Sequence, residues 1–315
     1  MQAIVGLEAP FDHGREQLQV LAGLEVTAKA VERAAEALGA ELAQREQAEI
    51  QQAVQLDLPV VVAGEPIPIL YVQMDGTGIP VVKKETVGRQ GQTEGQPAPT
   101  RGAKLGCVFT QTTWDKQGYP MRDPDSTTYT GAIETAEEFG PRLYREAGQR
   151  GWSPTQKKVV MGDGAEWIWN LAAEHFSGAI QIVDLYHARQ HLWELARQLY
   201  PNDGGKQKAW IKAHQKRLLD QGKIERLVVK LRSIPSDNPE VAEKICTEAG
   251  YFERNAERMR YPKFRRQHLF AGSGVIEAGC KTVIASRLKR SRNVLDRPGR
   301  QRHPGSALLL SQWPL

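Results

Sequence analysis

The sequence is short of cysteine, with only Cys107, Cys246 and Cys280 in 315 residues, far apart and odd in number. That excludes a disulfide framework and a paired zinc motif, so the three are read as reduced structural residues. No apolar run approaches the roughly 20 residues needed to cross a bilayer. The opening, MQAIVGLEAP, lacks the basic start and long apolar stretch of a secretory signal. A globular cytoplasmic chain with no membrane partner is the expectation. Charge imbalance is also small, 42 Lys and Arg against 37 Asp and Glu for a net +5, but it is uneven. KQKAWIKAHQKR (206–217) and RLKRSR (287–292) are basic, while 130–146 is acidic. Clustered cations invite a polyanion, yet solvated helix faces produce the same runs, so charge alone leaves nucleic acid open.

With 40% hydrophobic and 25% charged residues, the chain has enough apolar material for one large domain or two ordinary ones. Residues 15–50 read as two helices. REQLQVLAG closes at Gly23, a turn follows at Leu24–Val26, and Thr27 N-caps a long second segment with Ala30, Val31, Ala34, Ala35 and Leu38 at helical spacing. This outline suits a helix-turn-helix and equally suits simple packing. After Pro59, Pro66 and Pro68 a new domain is expected near 66, opening with the strand ILYVQMDGTGIPVV (69–82). KKETVGRQGQTEGQPAPTRG (83–102) reads as an excursion between strands. AKLGCVFTQTTWD and the Gly118-Tyr119-Pro120 turn then suggest a hairpin. Helix over 130–150, strand KKVVMGDG (157–164), helix AEWIWNLAAEHF, strand AIQIVDLYH (179–187) and a helical stretch over about 188–270 follow. The order is that of an α/β, ribonuclease H-like core with a helical insertion.

Two acids stand at apolar strand ends before glycine. Asp75 follows ILYVQM, and Asp163 lies between Gly162 and Gly164 before a helix whose N-terminus favours negative charge. Either alone is an ordinary turn or cap residue. Two such acids in one sheet suggest a shared cation, because adjacent carboxylates repel without one. Glu277 lies in GSGVIEAGCKTVIASRLKRS (272–291), with Ser273 as a candidate cap and Lys281 one turn on. Glu277 would complete a metal site, and Lys281, Arg287, Lys289 and Arg290 would meet DNA phosphates. Paired divalent cations on such acids activate water or a 3′-hydroxyl for in-line phosphoryl transfer, with Mg²⁺ expected and Mn²⁺ as substitute. In DLYHARQH, Asp184 ends another strand and His187 and His191 lie one turn apart. The stretch lacks the Glu after the first His that marks metalloprotease helices, so a hydrogen-bonding role for His187, oriented by Asp184, is favoured over zinc. Trp167, Trp169 and Trp193 are read as core residues, with base stacking as the alternative.

The blocks MDGTGIP, MGDGAEWIWN, VDLYHARQHLWELA and GSGVIEAGCKTV, in this order, resemble the catalytic blocks of the ISKra family of bacterial insertion-sequence transposases, DDE enzymes related to the Mutator-like group. The resemblance spans about 10–291. It implies a metal triad of Asp75, Asp163 and Glu277, and likens Asp184 and His187 to the Asp-x-x-His or Cys-x-x-His element opening the family's helical insertion. It further implies binding of terminal inverted repeats and target DNA, strand cutting and 3′-end joining, by a homo-oligomer on DNA. The expected organisation is a helical N-terminal remnant (1–58), a ribonuclease H-like catalytic domain (66–291) with its insertion at about 188–270, and an aberrant tail (292–315).

Both ends depart from the family pattern. Relatives carry more sequence before the position of Met1, including DNA-binding parts. After Ser291 this chain reads RNVLDRPGRQRHPGSALLLSQWPL, where the family continues into a Gly-Met-x-Trp stretch and a further helix. Permitted codons from Arg292 onward, read one nucleotide later, spell GMFWTVRGANAIRA, close to the family ending. A frameshift after Ser291 is the expectation, and loss of the native helix predicts weak stability and little or no transposition. Two other readings share the motifs: a metal-dependent nuclease of the same fold, and a catalytically dead DNA-binding protein.

Overall fold

The computed structural model describes residue 1 and residues 11–55, 67–80 and 100–285. The chain is α/β: among these residues it has ten α-helices and a mixed five-stranded sheet, in the order β5-β2-β1-β6-β7. The strands are β1 (Ile69–Pro80), β2 (Thr100–Gln111), β3 (Thr113–Trp114), β4 (Pro120–Met121), β5 (Thr128–Ala132), β6 (Lys157–Gly162) and β7 (Ile180–Val183). The described residues fall into two compact units. One comprises those within Met1–Thr110, Asp123–Gln156 and Gly274–Leu315, and the other Gln111–Arg122 and Lys157–Ser273.

In the first unit, α1 (Phe11–Ala22) ends before Gly23, and α2 (Ala28–Val54) begins where the Thr27 hydroxyl accepts from Ala30 N at 3.1 Å. This is the break and cap that the sequence predicts. Val31 and Ala35, four apart on α2, are wholly buried. β1 is buried from Ile69 through Met74, as a strand covered on both faces must be, and partly exposed from Asp75 to Gly78. β2 pairs antiparallel with β5 from Lys104↔Ala132 to Val108↔Thr128, so β5 supplies the antiparallel partner that the sequence placed directly after the Gly118 turn. Helix starts later than expected, at α3 (Ala136–Gln149), closed by a Thr135–Glu138 capping box.

α3 faces α2 through charge. Arg142 pairs with Glu46 and, at 2.5 Å, with Glu134, while Arg145 reaches Glu46 at 3.3 Å and Glu49 at 3.0 Å. Buried guanidiniums are costly unless carboxylates meet their donors, as they do here for all but the Arg145 Nε. Burial opposes the charge of Arg142, and the Glu134 and Glu46 carboxylates more than compensate, so its pKa is raised.

In the second unit, β6 and β7 run parallel from Val159↔Ile180 to Gly162↔Val183, joined through α4 (Glu166–His175). α5 (Leu185–Leu199), α6 (Gly204–Ile211), α7 (Ile224–Arg232), α8 (Pro239–Arg254) and α9 (Tyr261–Arg265) make up the helical stretch expected over 188–270. β3 and β4 form a two-residue ladder of their own at the Gly118 turn, not a pair of core strands. Their hairpin is held by His268, whose ring stacks on Trp114 and whose Nδ1 lies 2.8 Å from Gly118 O. No helix among the described residues is long and apolar enough to cross a membrane.

Candidate functional site

In the first unit Asp75 lies where the buried half of β1 ends. Its Oδ1 accepts from the Gly76 amide at 2.7 Å, and its Oδ2 accepts from the thiol of Cys280 at 3.2 Å. Cys280 follows α10 (Gly274–Gly279), the short helix that carries Glu277. That helix is pinned to the sheet at two further points. Gln73, fully buried on β1, accepts from Ile276 N at 3.1 Å, and Tyr129 of β5 donates to Val275 O at 3.0 Å. Gly279 lies flat against the Tyr129 ring, where any Cβ would overlap it, so only glycine permits this approach. Strand and helix thereby hold the half-buried Asp75 and Glu277 in one unit. Cys280, read from the sequence as merely structural, is a direct partner of a predicted site residue. The signal for it was its position three residues after Glu277, on the same helical side.

Lys281 is exposed on the π-helical turn Cys280–Ala285 that continues α10. Arg287, Lys289 and Arg290 lie outside the described residues, as do the 292–315 tail and most of the excursion expected over 83–102.

In the second unit Asp163 directly follows β6, and its Oδ1 accepts from Ala165 N at 2.8 Å, closing the turn into α4. The turn is braced from the helical stretch. Tyr251 of α8 donates its hydroxyl to Asp163 O at 2.7 Å, and Asn255 donates to Gly164 O at 3.5 Å. Gly164 has φ 102° and its Cα faces the Tyr251 ring too closely for a side chain, so its glycine is required twice over. Burial is the main cause that raises the Tyr251 pKa, with Asp163, Asp184 and Glu248 adding to it, so the phenol stays protonated and able to donate. The Tyr251 ring also stacks on His191 at 3.9 Å, and His191 Nδ1 lies 2.7 Å from Oε2 of the buried Glu248. Lys244 reaches the other Glu248 oxygen at 2.7 Å. Burial works to raise the Glu248 pKa, and the His191 and Lys244 hydrogen bonds outweigh it, leaving a carboxylate below its ordinary value.

Asp184 and His187 are related differently from expectation. Asp184 is fully buried as the N-cap of α5: its Oδ1 accepts from the backbone amide of His187 at 2.6 Å, and its Oδ2 from the amide of Ser273. The aspartate therefore orders the helix start by binding the His187 backbone, and no described hydrogen bond joins it to the imidazole. Ser273, a candidate cap from the sequence, contributes through its own N–H. Of the three tryptophans, Trp169 is a core residue with the Arg258 guanidinium 4.6 Å over its ring, while Trp167 and Trp193 are half-buried.

No protein-family model matches this chain, and no curated protein is similar enough to count as a match.

Proposed function

We propose that the chain is a DNA strand-transfer enzyme of the DDE type, cutting at the ends of an insertion sequence and joining them to a target. The observation that carries this reading is the docking of the Glu277 helix on the Asp75 strand through Cys280 and Gln73, and on β5 through Tyr129. These contacts are made by the neighbours of Glu277, and they bring its helix to the strand that carries Asp75, as a carboxylate metal site would require. A second support is the Asp163 turn, where the acid lies between two glycines, its carboxylate accepts from Ala165 N, and its backbone carbonyl is held by a tyrosine 88 residues away.

The donor set suits a hard divalent cation, since Asp75, Asp163 and Glu277 offer only carboxylate oxygens, and Mg²⁺ or Mn²⁺ fits them better than a soft metal. Bound there, the metal would supply charge neutralisation and nucleophile activation for phosphoryl transfer. The protein's own residues orient the ligands: Gly76 N and the Cys280 thiol hold Asp75, while Ala165 N, with Tyr251 behind the turn, holds Asp163. Lys281, with Arg287, Lys289 and Arg290, is assigned to DNA phosphates. The ribonuclease H-like form of the α/β core and a DNA-reading role for the α1–α2 hairpin belong to the same proposal.

The test is cleavage of labelled DNA carrying the terminal inverted repeats, against random duplex, with Mn²⁺ or Mg²⁺. Preferential cutting at the repeats supports a transposase. Equal cutting of both substrates replaces it with a nuclease, and metal-independent binding without cutting replaces it with a DNA-binding protein.

A further inference from the structure

The basic stretch KQKAWIKAHQKR does not continue as one solvated helix. α6 stops at Ile211, and the chain passes through a π-helical turn (Lys212–Lys216) and a 3-10 turn (Leu219–Gln221) before α7. π turns are rare and cluster at functional positions. This course gathers Lys216 from the first turn, Arg217 just after it, Lys223 from the loop, and Arg226 and Lys230, one turn apart on α7, around a groove of about 550 Å³. The opposite face of α7 is anchored by buried Ile224, Leu227, Val228 and Leu231, which fixes the direction of its cations.

An ordinary charged helix face mixes signs. Here the two acids in the same segments are engaged elsewhere: Asp220 accepts both Nε and Nη2 of Arg189 at 3.1 and 2.9 Å, and Glu225 pairs with Arg260. No carboxylate lines the groove, and among the described residues none of its five cations makes an ion pair. Five like charges around one concavity repel one another, and a polyanion relieves that repulsion while releasing its own counterions.

We propose that this groove binds the sugar-phosphate backbone of nucleic acid without regard to sequence. It deepens the strand-transfer reading by giving the helical stretch a DNA contact of its own, and it needs no metal. The groove touches neither Asp75, Asp163 nor Glu277, so binding and chemistry are separable.

The experiment measures anisotropy of a labelled mixed-sequence duplex with the full chain in EDTA, across a salt series. The Lys223→Gln, Arg226→Gln, Lys230→Gln triple variant is compared with Lys263→Gln, Arg265→Gln, Arg266→Gln, which removes equal charge from exposed positions outside the groove. The groove variant is expected to lose roughly tenfold or more in affinity, with its log–log salt slope falling by about 2–3, each phosphate contact contributing about 0.9. The control variant keeps both. Equal losses in the two variants, an unchanged groove variant, or wild-type binding to anionic vesicles in preference to duplex each overturn the proposal. Loss of duplex binding alongside absent metal-dependent cutting would leave the groove standing and remove the transposase reading. Normal cutting with an unaffected groove variant would do the reverse.

Discussion

The thiol of Cys280 donates to Oδ2 of Asp75 at 3.2 Å, across 205 positions of sequence. If Asp75 binds a divalent cation, the ion competes with the thiol for the same oxygen. Mn²⁺ is therefore expected to change the alkylation rate of Cys280 while leaving that of the exposed Cys246 unaltered. Asp75→Asn should abolish the metal effect. Peptide-resolved labelling reads both cysteines in one sample, and identical Cys280 rates with and without metal would remove Asp75 from the ligand set.

Tyr251→Phe removes the hydroxyl that holds the Asp163 carbonyl. Losing that bond is expected to cost about 1 kcal/mol in urea unfolding. Gly164→Ala forces a side chain to φ 102° against the same ring and should cost more than Tyr251→Phe. Equal or smaller loss in the alanine variant would contradict the close approach.

Asp184 is a structural cap, so Asp184→Ala is expected to destabilise by about 2 kcal/mol or more, since two buried amide donors lose their acceptor. His187→Ala leaves both of those backbone bonds in place and should cost far less. A comparable loss in the two variants would restore a role for the imidazole.

Stability of the second unit should fall with acid in two stages. Burial lowers the pKa of His175 and of His214 below the ordinary 6.5, against the smaller opposing pull of Glu174 and of the Trp210 carbonyl respectively. The unfolded chain then takes up protons first, so stability is complete above pH 6.5 and declines below it. Glu248, depressed by His191 and Lys244, gives stability present above the ordinary carboxylate value and lost as pH falls through its lower folded value. Urea midpoints from pH 8 to 3 check this. A His175→Gln, His214→Gln variant should lose the first decline only, and an unchanged first stage would contradict the assignment.

Local signals in the sequence were sound where one segment decides its own structure. The Gly23 break, the Thr27 cap, the apolar run of β1 and the strand-to-helix turn at Asp163 all follow from neighbouring residues. Pairing of β2 with β5 was missed because the Gly118 turn forms a genuine, though tiny, hairpin of its own. Nothing local marks Tyr251 or Asn255 as partners of the Asp163 turn. Their helix reads as an ordinary amphipathic segment, and only long-range packing turns the phenol onto the Asp163 carbonyl. Asp184 misled for a related reason: a strand-end acid followed three residues later by histidine also describes an N-cap, and the buried cap used the backbone amide.

Mn²⁺-dependent nicking of end-labelled inverted-repeat DNA, by the full chain beside Asp75→Asn, Asp163→Asn and Glu277→Gln, probes the proposal that these three acids act together on metal-activated phosphoryl transfer. Nicking is expected from the unaltered chain alone, and EDTA and each substitution should abolish it. Cutting that survives in any of the three folded variants, or a folded parent that never cuts, would contradict the proposal.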